Sequence, residues 1–150
     1  MTEIEGVVRS AREADVESVV ELSETWAAED STCGIVPTPA STLSDHLGPY
    51  FWVAERGTAV VGYAYGRVEV SQGLAVIPAG ERYLEIEELY VLSEYRNEGL
   101  GSDLVRALLR VAAENRVTRG LVHPATKDWP RIVRFYEQFD FKMWYVQMYR

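Results

Sequence analysis

Over the first fifty residues, the apolar positions predict one short strand and two helices. A strand is predicted from Val7 to Ala11, and Asp15 stands where it would cap a following helix. That helix is predicted from small and apolar residues that recur at helical spacing, namely Val16, Val19, Val20, Ser23 and Ala27. Two prolines at positions 37 and 39 indicate a loop, and a second short helix is predicted from Ser41 to Leu47.

The middle of the chain is rich in β-branched and aromatic residues, which favour strands. Two strands, Tyr50 to Glu55 and Ala59 to Glu69, are separated by the glycine-containing turn at residues 56–58, which is typical of a hairpin. The segment from Ser71 to Arg82 contains two glycines and a proline, so it is predicted to cross the surface. A fourth strand is predicted from Tyr83 to Leu92.

The last third of the chain alternates helices and strands. The pattern predicts a helix from about Gly99 to Asn115, a strand from Thr118 to His123, a helix from Asp128 to Phe139 and a closing strand from Phe141 to Tyr149. This order indicates an α/β fold in which helices cover the faces of a mixed sheet. With no repeat or flexible linker, residues 1–150 are expected to form a single domain.

Composition and charge narrow the classes of function. Lys and Arg number 15 against 23 Asp and Glu, which gives a net charge of −8. Such a balance argues against nucleic acid and anionic membrane as partners and mildly favours cationic substrates. One cysteine, Cys33, excludes an internal disulfide, and with only His46 and His123 beside it no zinc-ligand pattern exists. The N-terminal residues lack the features of a secretory signal, and no apolar stretch reaches the ~18 residues of a membrane span, so a cytoplasmic location is expected.

The segment from Val91 to Ser102 has the character of an anion-binding turn. It leaves a strand, passes through a polar loop and enters a helix through Gly99 and Gly101. Backbone N–H groups in the first turn of a helix have no partners within the helix, and glycines let phosphate oxygens approach them. Arg96 offers a positive charge and Ser102 a hydroxyl. The P-loop lysine and the third glycine of the dinucleotide fingerprint are both absent, which disfavours a nucleotide-binding protein.

These residues resemble a family signature. Arg96-Asn97-Glu98-Gly99-Leu100-Gly101 matches the [Gln/Arg]-x-x-Gly-x-[Gly/Ala] pattern of the GNAT superfamily of acyl-CoA-dependent N-acyltransferases. The preceding Glu88 to Val91 resembles the fourth strand of that family, and Arg134 to Phe141 resembles its Phe-Tyr-x-x-x-Gly-Phe segment. Two positions depart from the family pattern: Trp129 replaces a frequent Asn, and Asp140 replaces the Gly, although Asp tolerates the left-handed conformation.

The resemblance implies a GNAT-like fold, with a mixed, mostly antiparallel sheet whose fourth and fifth strands splay apart to admit acetyl-CoA. The backbone of Leu89, Tyr90 and Val91 would pair with the pantetheine arm. The pyrophosphate would lie on the cradle, defined here as Arg96, Asn97, Glu98, Gly99, Leu100, Gly101 and Ser102. Lys127, Arg131 and Arg134 are candidates for neutralising the outer phosphate, or are solvated surface charges.

Three carboxylates on the fourth strand, Glu85, Glu87 and Glu88, are candidates for removing the proton of an attacking amine. Strand alternation predicts Glu85 and Glu87 on one face and Glu88 on the other. In the family a base occurs at either of the first two places, and Glu87 is favoured over Glu85 because it lies nearer the thioester end. A solvated or substrate-attracting patch is the alternative.

Tyr136 is the candidate general acid, because its family counterpart directs a hydroxyl at the CoA sulfur; an aromatic residue on a helix is otherwise a core residue. Cys33 lies far in sequence from the thioester site with no histidine beside it, so an acyl-enzyme is not expected. His123 is assigned a structural role.

The sequence thus predicts an N-acetyltransferase that uses acetyl-CoA as co-substrate and acts on a small-molecule or peptide amine by direct attack in a ternary complex. The alternative is a non-catalytic acyl-CoA-binding sensor or interaction module, which would need neither Glu87 nor Tyr136. Loops 26–49 and 71–82 would form the acceptor pocket, where Trp26, Glu29 and Asp30 suit a cationic amine. The apolar residues Trp144, Tyr145 and Val146 of the closing strand leave a homodimer open.

Overall fold

The computed structural model describes residues 6–150, which form five strands and four helices. The elements in chain order are β1 (Gly6–Ser10), α1 (Val16–Ala28), α2 (Ala40–His46), β2 (Phe51–Arg56), β3 (Ala59–Val70), β4 (Arg82–Val91), α3 (Leu100–Glu114), β5 (Arg119–Val122) and α4 (Trp129–Glu137). No helix formed by residues 6–150 is long and apolar enough to cross a membrane.

The five strands form one mixed sheet in the order β1-β2-β3-β4-β5. The first four strands are antiparallel to their neighbours, and β5 runs parallel to β4. Each predicted strand up to β5, and each predicted helix, is present with ends that differ by at most two residues. The α/β fold class and the mostly antiparallel mixed sheet are therefore confirmed.

Each face of the sheet carries a hydrophobic core, because alternate residues of the central strands point to opposite sides. On one face, Leu84 and Ile86 of β4 pack with Leu104 and Leu108 of α3 and with Tyr136 of α4. The core of the other face is formed under α1 and α2 and contains Val19, Leu43, Phe51, Tyr63 and Tyr90. The prediction that helices cover both faces is thus confirmed.

Asp15 is the N-cap residue of α1, as predicted, but its side chain makes no capping hydrogen bond to that helix. Its carboxylate accepts a hydrogen bond from the backbone N–H of Arg12 at 2.8 Å and pairs with both terminal nitrogens of Arg9 at 2.8 Å each. A single 3₁₀ turn over Glu13–Asp15 precedes the helix, so Asp15 ties that turn back to β1. The Arg9 hydrogen bonds hold the pKa of the Asp15 carboxyl below its usual value.

The predicted closing strand from Phe141 to Tyr149 is wrong, because residues 141–150 form no regular secondary structure. A strand forms only against a partner edge, and this segment pairs with none of the described strands. Trp144, Tyr145 and Val146 are exposed, so pairing across a homodimer stays a prediction. The turn before the segment behaves as expected, since Asp140 takes the left-handed conformation with φ 66°.

Candidate active site

A β-bulge in β4 determines how the candidate carboxylates are displayed. Tyr65 on β3 pairs with Glu88 and the next residue, Gly66, pairs with Ile86, so Glu87 is left without a pairing partner. A Cβ on Gly66 would lie 2.2 Å from the carbonyl oxygen of Glu85, so the strand crossing at the bulge requires glycine. The extra residue shifts the alternation of side chains along the rest of β4.

The bulge overturns the prediction that Glu87 and Glu88 lie on opposite faces. The Glu88 carboxylate accepts a hydrogen bond from the Thr38 hydroxyl, and the Glu87 carboxylate contacts the His46 ring. Thr38 and His46 both belong to the segment that joins and includes α1 and α2. Both carboxylates are therefore on the side of the sheet that α1 and α2 cover.

The splay between β4 and β5 creates a cleft directly beside the bulge. The parallel pairing begins at Tyr83 with Arg119 and ends at Ile86 with Val122, whereas β4 continues to Val91. Residues 87–91 therefore have no β5 partner within the described chain, and a cleft of about 270 Å³ lies at this opening. The cleft is lined by the bulge, by the last residue of β5 and the four that follow it (122–126), by the loop over residues 32–35, and by Trp26, Ile132 and Tyr136.

Glu88 is the carboxylate whose surroundings most favour proton uptake. Burial raises the pKa of the Glu88 carboxyl above its usual value, and the neighbouring charge of Glu87 acts in the same direction. Hydrogen bonds from Tyr65 and Thr38 oppose that shift by stabilising the charged form. Its hydrogen-bonding partners are neutral hydroxyls, so no ion pair holds Glu88 in its ionised form.

Glu87, in contrast, is engaged by two basic side chains. Its Oε2 lies 2.7 Å from Nε2 of His46, and its Oε1 lies 3.4 Å from a guanidinium nitrogen of Arg67. The other ring nitrogen of His46 lies 2.7 Å from the carbonyl oxygen of Thr42. The His46 ring therefore bridges the backbone of α2 and the Glu87 carboxylate, and each Glu87 oxygen has a basic side chain beside it.

Glu85 lies on β4 two residues before Glu87. Its nearest basic neighbour is His123, whose Nε2 is 3.7 Å from Oε1 of Glu85. Neither residue has a strongly buried side chain, and His123 is more than half exposed. The Glu85 side chain is about as exposed as that of Glu87, and its contact with His123 is longer than the His46 contact of Glu87.

Tyr136 lies at the inner wall of the cleft. Only 6% of the residue is exposed, and its ring packs edge to face on Phe135 and Phe141. Burial raises the pKa of its hydroxyl above the usual value, so the phenol keeps its proton. Ile132 precedes Tyr136 by four residues on α4, and Trp129 precedes Tyr136 by seven. These spacings place all three side chains along one stripe of the helix. Tyr136 and Ile132 line the cleft, and Trp129 stands exposed at the outer end of the stripe.

The cradle has the geometry of an anion site. Gly99 precedes the first residue of α3 with φ 88°, and a Cβ at this position would meet no atom within 4 Å, so the space above the turn is open. The backbone N–H groups of the first turn of α3 are directed out of the helix end beside it. A guanidinium nitrogen of Arg131 donates to Oδ1 of Asn97 at 3.2 Å, which brings a positive charge to the rim. These features fit a phosphate group.

The Arg96 side chain does not contribute its charge to the cradle as predicted. Its guanidinium donates to Oε2 of Glu29 at 2.7 Å and to the carbonyl oxygen of Val91 at 2.8 Å. The hydroxyl of Tyr90 donates to the other oxygen of Glu29 at 2.6 Å. Arg96 therefore braces the loop between β4 and α3 against the end of α1, while its backbone remains part of the cradle.

Some acidic and basic residues expected at the site are engaged elsewhere. Glu29 is occupied by Arg96 and Tyr90, so it is not free for a cationic acceptor. Asp30 lies 3.0 Å from Nζ of Lys127 but stays exposed, so its part in acceptor binding stays a prediction. Cys33 lies at the cleft, because its N–H donates to the carbonyl oxygen of Ala125 at 3.0 Å and its loop forms one wall. The distance in sequence between Cys33 and β4 therefore does not reflect the position of Cys33 in the fold.

Sequence reasoning missed Thr38, Tyr65 and His46, which contact the carboxylates. One signal in β4 could have revealed the bulge. The apolar positions Leu84 and Ile86 are two residues apart, the next apolar position is Leu89, and Val91 follows two residues later. A step of three in an alternating pattern means that one residue is inserted between the two halves of the strand.

Comparison with known proteins identifies the family to which this fold belongs. A sequence profile of the acetyltransferase (GNAT) family matches residues 14–141. Among curated relatives, N-acetyltransferase 8B of Rattus norvegicus is 36% identical over 86 residues, which is 57% of this chain and 36% of that protein. The chain thus spans only about a third of the length of the relative that it matches.

Two solved structures illustrate the likeness of fold. Arabidopsis thaliana Naa50, in complex with the bisubstrate analogue CoA-Ac-MVNAL, is 19% identical with a TM-score of 0.69, over 91% of this chain and 83% of that chain. A metagenomic aminoglycoside acetyltransferase in complex with sisomicin is 17% identical with a TM-score of 0.70, over 97% and 95% of the two chains.

Proposed function

The chain belongs to the GNAT family of acetyltransferases, and we propose that it transfers an acetyl group from acetyl-CoA to a primary amine by direct attack in a ternary complex. One observation carries this proposal. A half-buried carboxylate with a raised pKa and a buried tyrosine hydroxyl line the same cleft, which opens where β4 and β5 separate. Proton acceptor and proton donor thus flank one space, as acyl transfer to an amine requires.

The residues around the cleft fit acetyl-CoA. The edge of β4 at Leu89, Tyr90 and Val91 lies beyond the end of pairing with β5. Backbone groups on this edge, apart from the Val91 carbonyl that accepts from Arg96, can therefore pair with an extended chain such as pantetheine. The cradle would hold the pyrophosphate through its backbone, with Arg131 at its rim. When bound, acetyl-CoA supplies the activated thioester carbonyl that an amine attacks.

Deprotonation of the amine is assigned to Glu88. An aliphatic amine titrates near ~10.4, so at neutral pH it must lose a proton before it attacks. Glu88 has a raised pKa and neutral hydrogen-bonding partners, whereas Glu87 is paired with His46 and Arg67. Glu87 and Glu85, the residues favoured by sequence, remain candidates that substitution can rank.

Protonation of the departing thiolate is assigned to Tyr136. Its hydroxyl is protonated at all physiological pH values, because burial raises its pKa. No residue of the described chain offers that hydroxyl a competing hydrogen bond, so it is free to donate into the cleft. Replacement of Tyr136 by Phe would remove this proton and leave the ring packing with Phe135 and Phe141 in place.

A CoA-release assay with a panel of amines tests the proposal. The panel contains a peptide with a free N-terminus, a polyamine, an aminoglycoside and free amino acids, with acetyl-CoA alone as the blank. We expect at least one amine to accelerate CoA release, and we expect Tyr136→Phe to lower kcat about 100-fold or more with acetyl-CoA affinity unchanged. Binding of acetyl-CoA without CoA release for any amine would support the non-catalytic acyl-CoA-binding module instead.

The direct-attack mechanism has its own test in Cys33, which lines the cleft. Intact-mass measurement after incubation with acetyl-CoA and no amine is expected to show no acetylated protein, and Cys33→Ala is expected to keep its activity. Accumulation of one acetyl group on Cys33 would replace the ternary complex by an acyl-enzyme route.

A further inference from the structure

Thr38 lies in the loop between α1 and α2, yet its side chain reaches Glu88 on β4. Its hydroxyl lies 2.8 Å from Oε1 and 3.1 Å from Oε2 of Glu88. We propose that Thr38 is a positioning residue that orients the Glu88 carboxylate and stabilises its charged form. The inference rests on the proposed function, because it concerns the residue assigned there as the base.

Thr38 is itself held in place from the opposite side. Its backbone N–H donates to Oγ of Ser23 at 2.7 Å, and Ser23 is fully buried within α1. The side chain and the backbone of one residue thus connect α1 to the bulge of β4. Since the backbone bond does not involve the hydroxyl, a substitution that removes only the hydroxyl leaves the loop anchored to α1.

The other groups that face Glu88 make the Thr38 hydrogen bond consequential. Tyr63 and Tyr65 approach from β3, Glu87 is adjacent on β4, and His46 approaches from α2. Burial and the Glu87 charge disfavour the ionised carboxylate, while Tyr65, Thr38 and His46 favour it. Thr38 is the only one of these three that reaches Glu88 from the irregular loop.

The chemistry of the donor explains why a hydroxyl suits this position. A lysine or arginine at this position would favour the ionised form of Glu88 through a charge-assisted hydrogen bond. A neutral hydroxyl stabilises the carboxylate more weakly and can turn to accept a hydrogen bond once the carboxyl is protonated. Thr38 therefore orients Glu88 in both protonation states without preventing proton transfer.

The test is an NMR titration of the Glu88 carboxyl carbon in protein labelled with [δ-¹³C]glutamate, which needs no acceptor substrate. The Glu88 signal is assigned from its loss in Glu88→Gln. Thr38→Val is expected to move the Glu88 midpoint upward by about one pH unit, because a hydrogen bond to the charged form is lost. Thr38→Ser, which keeps the hydroxyl, is expected to restore the wild-type midpoint.

Thr42→Val is the matched control, since Thr42 lies on α2 of the same segment and contacts His46 only through its backbone carbonyl. It is expected to leave the Glu88 midpoint unchanged. With an active amine, the acidic limb of kcat/KM for Thr38→Val is expected to move upward by the same amount as the NMR midpoint.

The outcomes separate this inference from the proposed function. An unchanged Glu88 midpoint in folded Thr38→Val, or failure of Thr38→Ser to restore a shifted one, would overturn the positioning role. If the midpoint shifts as expected but Glu88→Gln is fully active, the positioning contact stands and the assignment of Glu88 as the base fails. A loss of thermal stability with no change in midpoint would make Thr38 a structural anchor only.

Discussion

Glu87 and Glu88 are neighbours in the chain but face different partners, and this difference supports the assignment of Glu88 as the base. Glu87 contacts a histidine and an arginine, whereas Glu88 contacts two hydroxyls, and burial raises its pKa. Acceptance of a proton by Glu87 would disrupt its ion pairs. Acceptance by Glu88 relieves the free-energy cost of burying a charge.

We expect Glu88→Gln to lower kcat/KM at neutral pH by about 100-fold or more, which is the usual contribution of a general base. Activity should recover partly at high pH, where more of the amine is already neutral. Glu87→Gln and Glu85→Gln are the matched comparisons and should be milder. The pH-rate profile of wild-type protein should rise with pH through a midpoint above the ordinary glutamate range, because the Glu88 pKa is raised. A larger loss in Glu87→Gln would return the role to the residue favoured by sequence.

The sequence predicts a site residue where the neighbouring residues in the chain form a recognisable pattern, and it misses a residue whose contacts lie far away in the chain. The three carboxylates of β4, Tyr136 and the cradle can be proposed from sequence because each lies in a recognisable stretch of the chain. Thr38 and His46 were not found, because their contacts with β4 span 50 and 41 residues of sequence. Nothing in the loop sequence itself indicates which strand it will touch.

The bulge of β4 is the element on which the site depends, because it places two consecutive glutamates on one side of the sheet. It is also the place where simple alternation failed as a predictor, although the step from Ile86 to Leu89 records it. Regular elements were predicted well because periodicity reports them directly. The segment 141–150 was not, because its aromatic and β-branched composition favours a strand but cannot supply a pairing edge.

Gly66→Ala tests the bulge directly. The added Cβ would lie 2.2 Å from the carbonyl oxygen of Glu85, so the two strands must separate locally. We expect the free energy of unfolding to fall by about 1–3 kcal/mol, as for other overpacked sites, and acetyl transfer to fall with it because Glu87 and Glu88 are displaced. Chemical denaturation and the CoA-release assay measure the two effects.

Gly101→Ala is the stability control for this change. Gly101 lies in the first turn of α3, and a Cβ there would make ordinary contacts of 3.8 Å with the Phe135 ring. Alanine favours a helix over glycine by about 0.8–1.0 kcal/mol, so the free energy of unfolding should be unchanged or higher. Equal stability of Gly66→Ala and wild-type protein would show that the bulge does not depend on glycine.

At the scale of the whole molecule, the net negative charge of the protein repels the negatively charged phosphates of the proposed co-substrate. The chain carries a net charge of −8, yet the proposed co-substrate is an anion. Binding therefore depends on local features that outweigh the overall repulsion: the N-terminus of α3, the open backbone at Gly99 and the guanidinium of Arg131. The cleft supplies the remaining contacts to the uncharged arm.

Thermal unfolding in the presence of ligand tests this division of roles. At a hundredfold excess over its dissociation constant, acetyl-CoA should stabilise the native state by about 2.7 kcal/mol. For a chain of this length that free energy corresponds to a rise in Tm of roughly 5–10 °C. Acetyl-pantetheine at the same concentration, which lacks the phosphates, should give a much smaller rise because it cannot engage the cradle. Glu88→Gln should show the same rise in Tm with acetyl-CoA as wild-type protein, since Glu88 acts on the amine. Equal rises in Tm with acetyl-CoA and acetyl-pantetheine would show that the cradle does not bind the cofactor.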